Sequence, residues 1–287
     1  MNPQVQAFFD HATSTASYLV SDPATRAAAV IDPVLDFEPR AARLSTASAD
    51  AMLDAAADQG LNLHYVLETH AHADHLSAGD YIRRKTGAKI AIGAGIVQVQ
   101  ETFIPLFEAD DMAADGGAFD HLLDEGDRLP LGELTIGVLE TPGHTPADVA
   151  YLIGDTAFVG DTLFMPDYGT ARADFPGGDA RTLYRSIRKV LALPPQTRVF
   201  VGHDYLPAGR QEFRWETTVA EERRSNVHVR EGIDEDEFVA MRTARDATLS
   251  APALMLQALQ VNIRAGALPE PSRSGRVFLK LPVTVGA

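Results

Sequence analysis

The chain of 287 residues is 45% apolar, enough to bury a substantial core as one large domain or as a domain with an appendage, so disorder is excluded as the default. A net charge of -15 argues against a nucleic-acid partner, because phosphate backbones are held by clustered Lys and Arg. Cysteine is absent, which removes disulfides, a thiol nucleophile and thiolate ligands, and leaves only nitrogen and oxygen for any metal. The N-terminal segment lacks a basic region followed by a long apolar run, and no later stretch is apolar without interruption over about 18 residues. The expectation is a soluble cytoplasmic protein without a membrane partner.

In chain order, residues 17–20 and 27–31 read as strands flanking the turn at Asp22-Pro23, which predicts an antiparallel hairpin. A helix is expected over 49–58 with Ser48 as its N-cap, then a buried strand at 63–67 that delivers Glu68-Thr69-His70. A second helix is expected over 76–85, closed by Gly87. Further strands are read at 134–139, 149–153 and 157–159, and their ends lead into Thr141-Pro142-Gly143-His144 and Gly160-Asp161. A helix near 181–191 stops before Pro194-Pro195, and a strand at 198–201 ends at Gly202-His203-Asp204. Beyond it the pattern is helical over 211–224, 235–245 and 252–265, before an irregular tail. No internal repeat, heptad array or low-complexity linker is evident. Strands interleaved with helices, hairpins among them, predict two mixed sheets with helices outside.

The strongest chemical signal is the run His70-Ala71-His72-Ala73-Asp74-His75 just after a buried strand. In an extended loop His70 and His72 project to the same side, while Asp74 and His75 turn away at the start of the next helix, so one segment can serve two adjacent ion positions. By itself the run could be a polar surface loop. Against that, His144 follows a Pro-Gly turn, Asp161 follows a Gly at a strand end, and His203 stands in a third strand end. Rigid scaffolds present ligands from such positions. The other histidines, His11, His64, His121 and His228, have no motif around them and read as surface or packing residues.

The ordered motifs H-x-H-x-D-H, G-H-T, G-D and G-H-D, spread over residues 17–205, resemble the metallo-β-lactamase superfamily. The resemblance implies an α/β (α+β) fold, an αββα sandwich of two mixed sheets flanked by helices. It divides the chain into a catalytic domain, 1–225, and a helical C-terminal extension, 226–287, packed on it. It also places His70, His72 and His144 around one metal position and Asp74, His75 and His203 around another, with Asp161 bridging. The superfamily holds both dinuclear zinc hydrolases and iron oxygenases, so fold leaves the chemistry open.

A finer resemblance is to the persulfide dioxygenases, a branch close to glyoxalase II. It is carried by 68–75, Thr141-Pro142-Gly143-His144-Thr145, Arg172-Ala173-Asp174-Phe175, Gly202-His203-Asp204-Tyr205 and the stretch 259–266. This branch implies a single Fe(II) per chain on His70, His144 and Asp161, the catalytic set, with zinc as an alternative or adventitious metal. His72, Asp74, His75 and His203 then orient the ligands and bound water, or hold a second ion.

The reaction so implied takes glutathione persulfide, dioxygen and water to sulfite and glutathione, in sulfide detoxification. The partners expected are a small-molecule thiol persulfide and O2, and a homodimer is left open. Arg172 is assigned to the substrate, because a glutathione-like molecule carries carboxylates, although an ion pair with Asp174 is an equal reading. Tyr205 is a weaker substrate-side candidate. Relatives in this branch carry Gly-Cys-Gly before that Arg; here Asp167-Tyr168-Gly169-Thr170-Ala171 stands instead, so the pocket is expected to differ.

The residues leave three alternatives to compare with this reading. A dinuclear zinc thioesterase of the glyoxalase II kind keeps all seven potential ligands. A non-catalytic metal-binding module fits poorly, because structural sites are closed and need fewer ligands. A β-lactamase proper is disfavoured by the lack of an export signal.

Overall fold

Alternating strand residues send their side chains to opposite faces, and in this chain both faces of the central strands are apolar, which demands cover on each side. The computed structural model describes residues 2–284 and meets that demand with four layers. The first half contains β1 (Gln4–Asp10), β2 (Thr15–Ser21), β3 (Ala27–Ile31), β4 (Val34–Glu38), β5 (Arg43–Ser45), α1 (Ala47–Asp58), β6 (Asn62–Leu67), β7 (Leu76–Ser77), α2 (Gly79–Thr86), β8 (Lys89–Gly93), α3 (Ile96–Phe107) and β9 (His121–Leu123). The second contains β10 (Arg128–Leu131), β11 (Leu134–Glu140), β12 (Val149–Ile153), β13 (Thr156–Phe158), α4 (Ala180–Leu191), β14 (Arg198–Phe200), β15 (Glu216–Thr218), α5 (Val219–Ser225), α6 (Glu235–Asp246) and α7 (Met255–Asn262).

One sheet runs β1-β2-β3-β6-β8-β9 and the other β10-β11-β12-β13-β14-β15, with a small sheet β5-β4-β7 beside them. Both large sheets are mixed: β2 and β3 are antiparallel whereas β3, β6 and β8 are parallel, and β13 pairs in parallel with β14. Tyr18, Val20, Ile31 and Leu67 of the first sheet meet Ile136, Tyr151, Phe158 and Phe200 of the second. Their strand neighbours Leu19, Val30 and Val66 face a separate core with Met52, Ile82 and Phe103 from α1, α2 and α3. On the far side Ala157 and Val199 pack under Leu183 and Ile187 of α4 and Phe238 of α6. The result is the αββα sandwich expected from sequence.

The hairpin around Asp22-Pro23, the strands near 63–67 and 149–153, and the helices near 181–191 and 235–245 stand close to where they were read. Other expectations are corrected. The helix after the histidine run begins at Gly79, because Leu76 and Ser77 pair with Leu35 and Val34 as a strand, so Asp74 and His75 lie in a loop. Ser48 does not cap α1; Thr46 holds that position without a side-chain bond to the helix backbone, its hydroxyl donating to Asp50 instead, while Ser48 donates to Asp36. Only Val219–Ser225 of the helix expected over 211–224 forms, because Glu216–Thr218 extends the second sheet. The last helix is confined to Met255–Asn262.

One buried acid gives a pH test of the packing. Glu222 of α5 is fully buried, accepts from Asn226 Nδ2 at 2.6 Å, and burial pushes its carboxyl up to about 8. A raised carboxylate pKa stabilises below the unfolded value and loses that contribution as pH rises through about 8. Glu222→Gln should therefore raise Tm by about 5 °C at pH 9 and shift it by less than about 1 °C at pH 5, read by calorimetry.

Candidate metal centre

The histidine run leaves the end of β6 in the first sheet, while His144 follows β11, Asp161 follows β13 and His203 follows β14 in the second, so strand ends of both sheets converge on one point. Gly160 takes a left-handed conformation, φ 49°, and a Cβ there would collide with the Thr69 side chain; the glycine lets Asp161 approach His70. His70, His72, His75 and His203 are buried, as are His144 and Asp161.

Hydrogen bonds on the outer side of each ring fix its tautomer. Thr69 Oγ1 donates to Asp32 Oδ2 at 2.8 Å, so it accepts from His70 Nδ1 at 3.0 Å. His144 Nδ1 donates to the Arg172 carbonyl at 2.8 Å. His72 Nε2 donates to Asp32 Oδ1 at 3.0 Å, and His75 Nδ1 to Asp74 Oδ2 at 3.0 Å. Each inner nitrogen is thereby left with a lone pair, and Nε2 of His70, Nδ1 of His72 and Nε2 of His75 are buried with no hydrogen-bond partner. Buried polar atoms are rarely left so, and a metal ion is the partner that imidazoles held from behind by carboxylates and carbonyls normally receive. The donor set fits a divalent cation.

The potential ligand atoms fall into groups. His70, His144 and Asp161 have donor atoms within 4.8 Å of one another; so do His72, Asp74 and His75, and so do Asp32, Glu68 and His72. The rings of His70 and His72 lie 4.1 Å apart and those of His70 and His144 5.1 Å apart. His203 belongs to none of these three groups: its Nδ1 is 2.7 Å from Asp161 Oδ1 and its Nε2 2.8 Å from Asp74 Oδ2. Burial opposes a charge on His203, but Asp161 and Asp74 outweigh it and push the ring up to about 10. Burial also opposes the charge on Asp161, yet the charged ring of His203, hydrogen-bonded to it, holds its carboxyl well below the usual range. Burial keeps His70 neutral, the form that binds metal.

A cavity of about 630 Å³ opens above His144 and Asp161. Tyr205 lines it, its ring parallel to that of His203 with centroids 5.6 Å apart. Arg172 lines it too, but its guanidinium is engaged by Asp174, 2.7 Å from Nη2 to Oδ2, and by the Ser250 carbonyl at 2.7 Å. The 167–171 stretch folds against the C-terminal part: a Cβ on Gly169, φ 103°, would collide with His228, and Arg242 donates to the Thr170 carbonyl.

Two supporting residues escaped the sequence reading. Asp32, at the end of β3, joins the backbone of Thr69 to the ring of His72, and its position at a strand end was a readable signal. Asn262 donates to the carbonyls of His72 and His75, at 2.7 and 2.8 Å, and accepts from Ser77 N at 2.8 Å. The sequence separation of 190 residues gave no local sign of that contact.

The model of the Metallo-beta-lactamase superfamily matches residues 12–203. The chain is 55% identical to "Probable metallo-hydrolase" of Burkholderia pseudomallei, over 97% of this chain and 98% of that one. It is 52% identical to "Beta-lactamase hydrolase-like protein" of Agrobacterium fabrum but spans only 65% of that protein's length. Identity to "Persulfide dioxygenase ETHE1, mitochondrial" of Homo sapiens is 29%, over 91% of this chain and 88% of that one. Among solved structures, ETHE1 from Myxococcus xanthus superposes with a TM-score of 0.73 and 33% identity, over 92% of this chain and all of that one. With the fold, the strand-end ligands and these matches in agreement, the chain belongs to the metallo-β-lactamase superfamily.

Proposed function

We propose that the chain is an iron-dependent dioxygenase that oxidises glutathione persulfide, or a related thiol persulfide, in sulfide disposal. The observation that carries this reading is the employment of His203. Both of its ring nitrogens are held by carboxylates, Asp161 Oδ1 among them, while the donor atoms of His70, His144 and Asp161 converge as two imidazoles and one carboxylate. That donor set is the one used by non-haem Fe(II) oxygenases. The similarity to a protein named persulfide dioxygenase over most of the chain supports the same reading.

When bound, Fe(II) supplies electrons for dioxygen chemistry and orients a sulfur atom beside it. Overall, persulfide, dioxygen and water give sulfite, thiol and two protons. The S–S bond breaks, the outer sulfur formally loses four electrons to dioxygen, and the inner sulfur leaves as thiol. The chain's own groups prepare this. Asp161 is kept ionised by its charged neighbour His203, so it presents a full negative charge at the site. The bond from His144 to the Arg172 carbonyl ties the orientation of that ring to the loop lining the cavity.

One observation favours a second reading, a dinuclear hydrolase of the thioesterase kind: Nδ1 of His72 and Nε2 of His75 are also buried without partners beside Asp74. The relative named metallo-hydrolase points the same way. An oxygen electrode separates the two. Iron-loaded protein should consume dioxygen with glutathione persulfide and form sulfite in equal amount, while leaving a glutathione thioester intact. No oxygen uptake together with thioester cleavage would establish the hydrolase instead.

A further inference from the structure

We infer that Arg245, on the last turn of α6, is the residue that receives a carboxylate of the substrate and so selects an anionic, glutathione-sized persulfide; this deepens the dioxygenase reading and rests on it. Three arginines line the cavity above His144 and Asp161. Two are already neutralised. Arg172 is paired with Asp174, and Arg242, fully buried, with Asp246 at 2.6 Å. Arg245 is exposed and, among the described residues, its guanidinium has neither an ion pair nor a hydrogen bond.

Its placement suits a ligand reaching from the metal centre. The guanidinium carbon lies 5.9 Å from the centre of the Tyr168 ring, a cation–π contact that steadies the side chain while leaving its N–H groups open. From Tyr168 the aromatic wall continues to Tyr205, with ring centres 5.1 Å apart, and the Tyr205 ring is stacked on that of the buried His203 at 5.6 Å. Leu249, Pro252 and Met255 add apolar surface to the same cavity. A molecule with its sulfur at His144 and Asp161 would therefore lie along an aromatic wall and end at an unpaired cation. In a chain of net charge -15 such a cation is the local feature that attracts an anionic substrate, and a planar guanidinium binds a carboxylate through two parallel hydrogen bonds.

The test compares acid and ester. Titration calorimetry with reduced glutathione and its diethyl ester, on the metal-loaded protein, should show the acid bound about tenfold more tightly than the ester. Arg245→Gln should abolish that preference, Arg245→Lys should keep part of it, and metal content should hold in both. In oxygen uptake, Arg245→Gln should raise KM for glutathione persulfide about tenfold with kcat retained. Equal binding of acid and ester by the parent protein would overturn the assignment. So would a preference that survives Arg245→Gln but is lost in Arg172→Gln. A parent protein that binds glutathione through Arg245 yet consumes no oxygen with any persulfide would instead sink the dioxygenase reading and leave the subsite standing.

Discussion

Asp161→Ala should lose bound iron on purification and lower turnover by more than a hundredfold, whereas His72→Ala should keep most of the metal. The reason is the different company the two side chains keep. Asp161 is the only carboxylate in the group with His70 and His144, and its other oxygen holds His203. Removing it takes away a ligand charge and releases the ring beside it, and even residues that merely orient ligands cost ten- to a hundredfold in affinity. His72 instead has its Nε2 anchored to Asp32 at 3.0 Å and near Glu68 at 3.4 Å. Asp161→Asn, which keeps the volume, guards against simple misfolding. The measurement is metal per chain by elemental analysis on protein prepared without oxygen. Equal loss in the Asp161 and His72 variants would speak for a dinuclear centre.

Asn262→Ala should destabilise the protein by about 3 to 5 kcal/mol and loosen the metal centre without touching a ligand. The side chain is buried and satisfies two carbonyls and one N–H of the 72–77 loop. Truncation strands all three, each at about 1 to 3 kcal/mol, although water entering the gap recovers part of this. For a chain of this size the loss corresponds to a fall in Tm of about 10 °C. Metal affinity should fall ten- to a hundredfold, because the carbonyls of His72 and His75 lose their anchor. Asn262→Asp is the informative companion, since it can accept from Ser77 but cannot donate to the carbonyls. A thermal melt and a metal-chelator competition read both quantities; an unshifted Tm in Asn262→Ala would refute the role.

The strand-end motifs make the fold legible in the sequence and mark the candidate metal ligands, because ligands at the ends of buried strands carry strong local signals: glycine turns, a preceding apolar run, and histidines at fixed spacing. Asp74 and His75 were placed at the start of a helix, since the following residues are good helix formers; pairing of Leu76 and Ser77 with β4 decides otherwise. The 211–224 stretch failed for a related reason, as Glu216–Thr218 gains more from the open edge of the second sheet than from its helical periodicity. Most opaque was everything that depends on contacts across the chain. Asn262 reaches back to the histidine run, and the partners that distinguish Arg172 from Arg245 come from Asp174 and from the fold of α6. Charge type at a cavity can be read from sequence; which charge is already paired cannot.

The central claim, one iron held by His70, His144 and Asp161 and used for persulfide oxidation, is tested most directly by titrating metal-free protein with Fe(II) under argon and measuring oxygen uptake with glutathione persulfide at each step. Activity should rise linearly and level off at one equivalent per chain. A plateau only at two equivalents, with thioester cleavage appearing in parallel, would contradict it.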